Sequence, residues 1–122
     1  MYRLLIVDDA EYVRDMLIDM LDPAKYVVVG TAVDGFDAVR KYEELKPDLI
    51  TMDLVMKERD GINAIRDIRE LDQDVPILVI SALGRGELVD IAMEAGADGY
   101  LWKPFTVKNL SDTLESLLME VE

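Results

Sequence analysis

The sequence contains neither cysteine nor histidine. Without thiols there is no disulfide framework and no thiolate chemistry. Without imidazole, the usual general base near neutral pH and the commonest transition-metal ligand are both gone. Basic residues are scarce too: 13 against 26 acidic ones, a formal net charge of −13 over 122 residues. Basic surface supplies the attraction to nucleic acid and to anionic membranes, so this balance argues against direct binding to either and favours cations and basic partners. Long hydrophobic runs are missing as well. Leu4 to Val7 is too short for a signal-peptide core, and no stretch suits a membrane span. The expectation is a cytoplasmic protein whose polar chemistry comes from carboxylates, hydroxyls and lysine.

The apolar residues that are present fall in five short runs: Leu4–Val7, Val27–Val29, Leu49–Met52, Ile77–Ile80 and Tyr100–Trp102. The first, third and fourth are continuous, as central strands of a parallel sheet must be when both faces are covered. Between and after them run stripes of helical period: Val13, Met16, Leu17, Met20 and Leu21; Ala38, Val39 and Tyr42; Ile62, Ile65 and Ile68; Leu88, Ile91, Ala92 and Ala95; Val107, Leu110, Leu114, Leu117 and Leu118. Pro47 and Pro76 precede strands, Asp34-Gly35 and Asp60-Gly61 stand where helices should begin, and Gly96 stands where one should end. Strand–helix alternation repeated five times predicts one α/β domain over residues 1–122, a parallel sheet with helices on both faces. Ligands in such sheets bind beyond the carboxyl ends of the strands.

The residues at those ends are Asp8-Asp9 after the first strand, Asp53 after the third, Ser81 after the fourth and Lys103 after the fifth. Each has a plain explanation alone. Asp8 with Glu11 fits a capping box, Asp53 and Ser81 suit turns, and Lys103-Pro104 suits a surface turn. Together they conflict. At an effective dielectric of ~20, two carboxylates ~4 Å apart repel by roughly 4 kcal/mol. Lys103 supplies one positive charge, and a divalent cation would supply two more. An all-oxygen cluster suits Mg²⁺ better than zinc. Three carboxylates against Mg²⁺ and Lys103 give a near-neutral site, able to accept a phosphoryl group. An ionised carboxylate needs no base to act as nucleophile, so the missing histidine is no obstacle.

The segments "LLIVDDAE", "PDLITMDLVMKERDG", "PILVISA" and "GYLWKPF" resemble, in order and spacing, the four signature segments of the response-regulator receiver domain of two-component signalling. The resemblance covers essentially the whole chain. It implies a five-stranded, doubly wound, flavodoxin-like parallel sheet in the order 2-1-3-4-5, flanked by five helices. It makes Asp53 the phosphoacceptor, Asp9 a direct metal ligand with Asp8 as its partner, and the Val55 backbone carbonyl the third protein ligand of Mg²⁺. Ser81 matches the switch hydroxyl, Ala82 the small residue beside the phosphoryl group, Lys103 the family lysine with a cis bond to Pro104, and Tyr100 the switch aromatic. Val55 and Leu83 occupy positions where the family often carries water-orienting polar residues, so a long-lived phosphorylated state is expected. Lys57 stands where the family usually has proline, which puts the rigidity of that loop in question.

The implied function is a phosphorylation-activated switch and not an enzyme beyond its own phosphorylation and slow dephosphorylation. Its donor would be a sensor histidine kinase or a small acyl phosphate. Its downstream effector would dock on the face of the fourth helix, fifth strand and fifth helix, with Tyr100 and Trp102 as candidate contacts. The glycines of Leu83-Gly84-Arg85-Gly86 would let that loop move. "GFDAVRKYEELKPDLITMD" is most similar to chemotaxis-type receivers, and a chain ending after the fifth helix suits a single-domain regulator. The alternatives are an isolated receiver fragment of a transcriptional regulator and a Mg²⁺-dependent phosphatase with an aspartyl nucleophile. The phosphatase reading suffers from adjacent rather than spaced acids and from the lack of sequence for a cap.

Overall fold

A computed structural model describes residues 1–83 and 86–121. Gly84 and Arg85, half of the loop expected to move, lie outside the described residues. The elements run β1 (Tyr2–Val7), α1 (Glu11–Met20), β2 (Tyr26–Ala32), α2 (Gly35–Leu45), β3 (Leu49–Met52), α3 (Gly61–Leu71), β4 (Ile77–Ser81), α4 (Glu87–Ala95), β5 (Gly99–Trp102) and α5 (Val107–Val121). All sheet pairings are parallel, and the order is β2-β1-β3-β4-β5, as the resemblance implied. The three continuously apolar runs are the three interior strands.

Alternation along the strands splits the core in two. Leu5, Val7, Ile50, Met52, Ile77 and Val79 face one way, against Ala38 and Tyr42 of α2, Ala64, Ile65 and Ile68 of α3, and Ala92 of α4. Leu4, Ile6, Leu49, Leu78 and Ile80 face the other, against Val13 and Leu17 of α1 and Leu110, Leu114 and Leu117 of α5. Burying a side chain of this size contributes about 1.5–3 kcal/mol. Ile68 is fully buried on α3, and truncating it to alanine would cost about 2–5 kcal/mol.

Local signals placed most helix ends. Asp34 and Asp60 cap α2 and α3, accepting from the N–H groups of Asp37 and Asn63 at 2.8 Å each. Gly96 ends α4 at φ +125°. The capping box read from Asp8 and Glu11 does not form. The N-cap of α1 is Ala10, without a side-chain cap, because the Asp8 carboxylate is used elsewhere. The edge strand β2 extends well past Val27–Val29. It shifts register between Leu4 and Leu5 of β1, which leaves Val29 as a bulge. A Cβ on Gly30 there would meet only the end of the Leu45 side chain, Cδ1 at 2.6 Å, which can move aside.

Candidate functional site

Backbone pairing continues one residue past three strands and lines up their ends. The Asp8 N–H donates to the Ala32 carbonyl (3.0 Å), Asp53 N–H to Val7 (2.9 Å) and Lys103 N–H to Ser81 (3.0 Å). Side chains 45 to 95 residues apart in sequence are thereby delivered to one edge. Carboxylate oxygens of Asp8, Asp9 and Asp53 all lie within 4.8 Å of one another. Asp8 and Asp53 are buried, whereas Asp9 is exposed. The Lys103 ammonium is 2.8 Å from Asp8 Oδ2 and 3.9 Å from Asp53 Oδ1. The other Asp8 oxygen accepts from the Ala10 N–H at 2.9 Å, closing the turn between β1 and α1.

This arrangement leaves negative charge in excess. Burial, the largest effect, pushes the Asp53 carboxyl up to about 6; Lys103 opposes it, Asp8 adds to it, and the backbone N–H groups of Leu54 and Val55 oppose it. A buried carboxylate with its proton affinity raised in this way fits a second, stronger cation. Three hard oxygen donors within one small sphere suit Mg²⁺.

Around the acids, Ser81 is buried, and its Oγ accepts from the Leu83 N–H at 3.2 Å. The Tyr100 hydroxyl donates to the Leu83 carbonyl. Burial raises the Tyr100 pKa, a hydrogen bond with Ser81 lowers it, and the charge on Asp53 raises it, so the tyrosine is electrostatically in touch with the site. Tyr100 packs with the α2–α4 half of the core and Leu101 with the α1–α5 half, as strand alternation requires. Trp102 lies on the Tyr100 side, its ring 4.9 Å from the tyrosine's, and is 41% exposed. It is therefore not a core residue. Ala82 and Lys103 line a cavity of about 380 Å³ with Tyr12, Met16 and Phe105. The side chains of Val55 and Leu83 are exposed. The Lys103–Pro104 peptide is cis.

The loop in which Lys57 replaces proline is anchored by other means. The Arg59 carbonyl accepts from the Gly35 N–H at 2.8 Å, and Leu54 accepts from the Gly61 N–H at 2.9 Å. The Arg59 guanidinium makes a two-point ion pair with Asp67 (2.9 and 3.0 Å) and lies over the Phe36 ring at 5.6 Å.

Three residues at the site escaped the sequence reading. Arg14 donates to the Asp8 carbonyl at 2.8 Å and holds the β1–α1 turn from behind. Its signal was weak but real: a basic residue near a helix N-terminus opposes the helix dipole unless it has a specific partner. Gly61 packs against the backbone of Asp53. Arg59 clamps the β3–α3 loop.

The family profile of the response regulator receiver domain matches residues 4–115. The chain belongs to the receiver-domain family. As a receiver it is 44% identical over 115 residues to the chemotaxis protein CheY of Thermotoga maritima, covering 94% of this chain and 96% of that protein. It is 40% identical over 117 residues to the CheY of Bacillus subtilis, covering 96% and 98%. A crystal structure of the CheX–CheY–BeF3–Mg²⁺ complex from Borrelia burgdorferi is similar at a TM-score of 0.92 and 30% identity, covering 96% of this receiver and 89% of that chain. The match favours a signalling switch over the aspartyl-nucleophile phosphatase. Among the described residues, no helix of the receiver is long and apolar enough to cross a membrane.

Proposed function

We propose that this receiver, residues 1–122, accepts a phosphoryl group on Asp53 and relays it as a conformational signal, in the manner of a chemotaxis regulator. The observation that carries the reading is the convergence of three carboxylate oxygens within 4.8 Å, with the Lys103 ammonium against two of the acids. Asp8, Asp9, Asp53 and the Val55 carbonyl would hold Mg²⁺, which supplies positive charge against the phosphoryl oxygens.

An Asp53 carboxylate oxygen attacks phosphorus in line with the leaving group. A new O–P bond forms, and the donor's bond to phosphorus breaks. Its electron pair stays on the histidine nitrogen of a kinase or on the carboxylate of an acyl phosphate. Lys103 and the Ser81 hydroxyl neutralise and orient the transferred oxygens, while Ala82 leaves room for them. Hydrolysis by water returns the carboxylate and inorganic phosphate, so the chain turns over only its own phosphoryl group. Ser81 drawn towards that group would carry Leu83 with it, and Tyr100 is bonded to Leu83 already. The result is a population shift at the α4–β5–α5 face, where Tyr100 and Trp102 would meet an effector. The donor would be a sensor histidine kinase in the cytoplasm. The acidic surface gives no basis for nucleic-acid binding.

Incubation with acetyl phosphate and Mg²⁺ should add one phosphoryl mass to the chain. An Asp53→Asn variant that still gains a base-labile acyl phosphate at the wild-type rate would show the assignment to be wrong.

A further inference from the structure

Lys57 does more than replace a proline. It lines a cavity of about 240 Å³ together with Asp9, Val33, Asp34 and Glu58. Asp9 belongs both to this cavity and to the cluster with Asp8 and Asp53, so the cavity opens onto the outer side of the acid site. Its walls carry three carboxylates and one ammonium. Asp34 is engaged as the cap of α2. Asp9 and Lys57 are different: among the described residues neither side chain has a hydrogen bond or an ion pair. An exposed lysine and an exposed carboxylate thus share one cavity without being locked together. Neither is needed for the shape of the loop, which Arg59, Gly35 and Gly61 hold.

We propose that Lys57 is an internal competitor for the cation site. Its ammonium, on a flexible four-carbon stem, shares the cavity with Asp9 and places positive charge near that carboxylate, which an incoming divalent ion must oppose. The proposal rests on the Mg²⁺ reading above. An ammonium ion and a divalent cation near the same carboxylate repel each other, and in a solvent-open cavity that repulsion is screened by salt. The receiver therefore holds Mg²⁺ less tightly than its three acids alone would. Its readiness for phosphorylation then varies with Mg²⁺ over the range in which the site is partly filled.

Mg²⁺ titrations by calorimetry on the unphosphorylated protein, at low and high ionic strength, test this directly. Lys57→Gln should bind Mg²⁺ roughly three- to tenfold more tightly than wild type at low salt, with most of the gain lost near ~1 M KCl. Lys57→Arg, which keeps the charge, should stay close to wild type. Unchanged or weaker binding by Lys57→Gln overturns the proposal, as does a gain that persists at high salt, which would mark an effect of loop shape. Asp9→Asn separates the two layers. If wild type binds Mg²⁺, Asp9→Asn binds it poorly and Lys57→Gln matches wild type, only the role of Lys57 falls. If wild type binds no Mg²⁺ at all, the metal reading falls and takes this proposal with it.

Discussion

A Cβ placed on Gly61 would lie 2.1 Å from the Asp53 carbonyl oxygen and 2.8 Å from Leu54 Cα. The first residue of α3 is pressed against the backbone that carries the proposed phosphoacceptor, and only a missing side chain allows it. Gly61→Ala must push Asp53 or α3 away. It should destabilise the fold by about 1–3 kcal/mol and slow phosphorylation by acetyl phosphate. Gly30→Ala is the control, because its Cβ would meet only the end of the Leu45 side chain. Urea unfolding and phosphorylation rates on both variants check this; equal phosphorylation rates in Gly61→Ala and Gly30→Ala would refute it.

Asp53 sits buried beside Asp8, with Lys103 bonded to Asp8 rather than to it. Asp53→Asn removes the buried charge and keeps the oxygen that accepts from the Leu54 N–H. Without divalent ions at pH 7, the variant should be more stable than wild type by about 1–3 kcal/mol. Adding Mg²⁺ should raise the wild-type unfolding midpoint far more than the variant's. A wild-type midpoint that ignores Mg²⁺ would count against the metal site.

The phosphorylated form should be long-lived. Hydrolysis needs a water aligned behind phosphorus, and both Val55 and Leu83 present exposed apolar side chains with nothing to orient one. Asn at position 55 combined with Glu at position 83 should shorten the lifetime roughly tenfold or more, up to the ~10²–10⁴ that a positioned acid–base group contributes. Decay of the phosphorylated mass after donor removal measures it. A double variant that keeps its phosphoryl group longer than wild type would reverse the conclusion.

Trp102 is the single tryptophan, and its ring packs at a tilt against that of Tyr100. Its emission should change on adding beryllofluoride with Mg²⁺, because a shift of Tyr100 alters the ring contact. Trp102→Ala should weaken effector binding while leaving phosphorylation of Asp53 intact, as expected of an exposed aromatic anchor. Identical quenching in both states, together with unaltered effector binding in the variant, would place the contact elsewhere.

A pH-dependent brace lies on the far side of the molecule. The Tyr42 hydroxyl donates to Asp72, whose other oxygen accepts from the N–H groups of Asp74 and Val75 at 2.8 and 3.1 Å. The Tyr42 bond is the main cause holding the Asp72 carboxyl below the usual range, whereas burial, then Asp72, push Tyr42 up to about 12. A depressed carboxyl stabilises the fold above its ordinary pKa of ~4, and that stability is lost in acid. A raised tyrosine stabilises it below ~10, and that stability is lost as pH climbs towards 12. Tyr42→Phe should cost about 1–2 kcal/mol near pH 7, with the gap from wild type narrowing below ~pH 4 and above ~pH 10. A gap that stays constant from acid to neutral pH would show that Asp72 does not depend on Tyr42.

Local pattern alone determined the alternation of elements, the interior strands, the caps at Asp34, Asp60 and Gly96, and the convergence of Asp8, Asp9, Asp53, Ser81 and Lys103 on one edge. These follow from periodicity and from the parallel geometry that alternation imposes, both of which can be read within a few residues. Tertiary structure decided what depends on partners distant in sequence. Asp8 forms no capping box because Lys103, 95 residues away, takes one of its oxygens and the turn at Ala10 takes the other. The loop at Lys57 needs no proline because Gly35 and Asp67 hold Arg59. Gly61 is glycine because of a backbone eight residues back, which α3 approaches only when it packs on the sheet. A side chain's chemistry is written in the sequence, but its competing partners are chosen only when packing sets which of them lies within 3 Å.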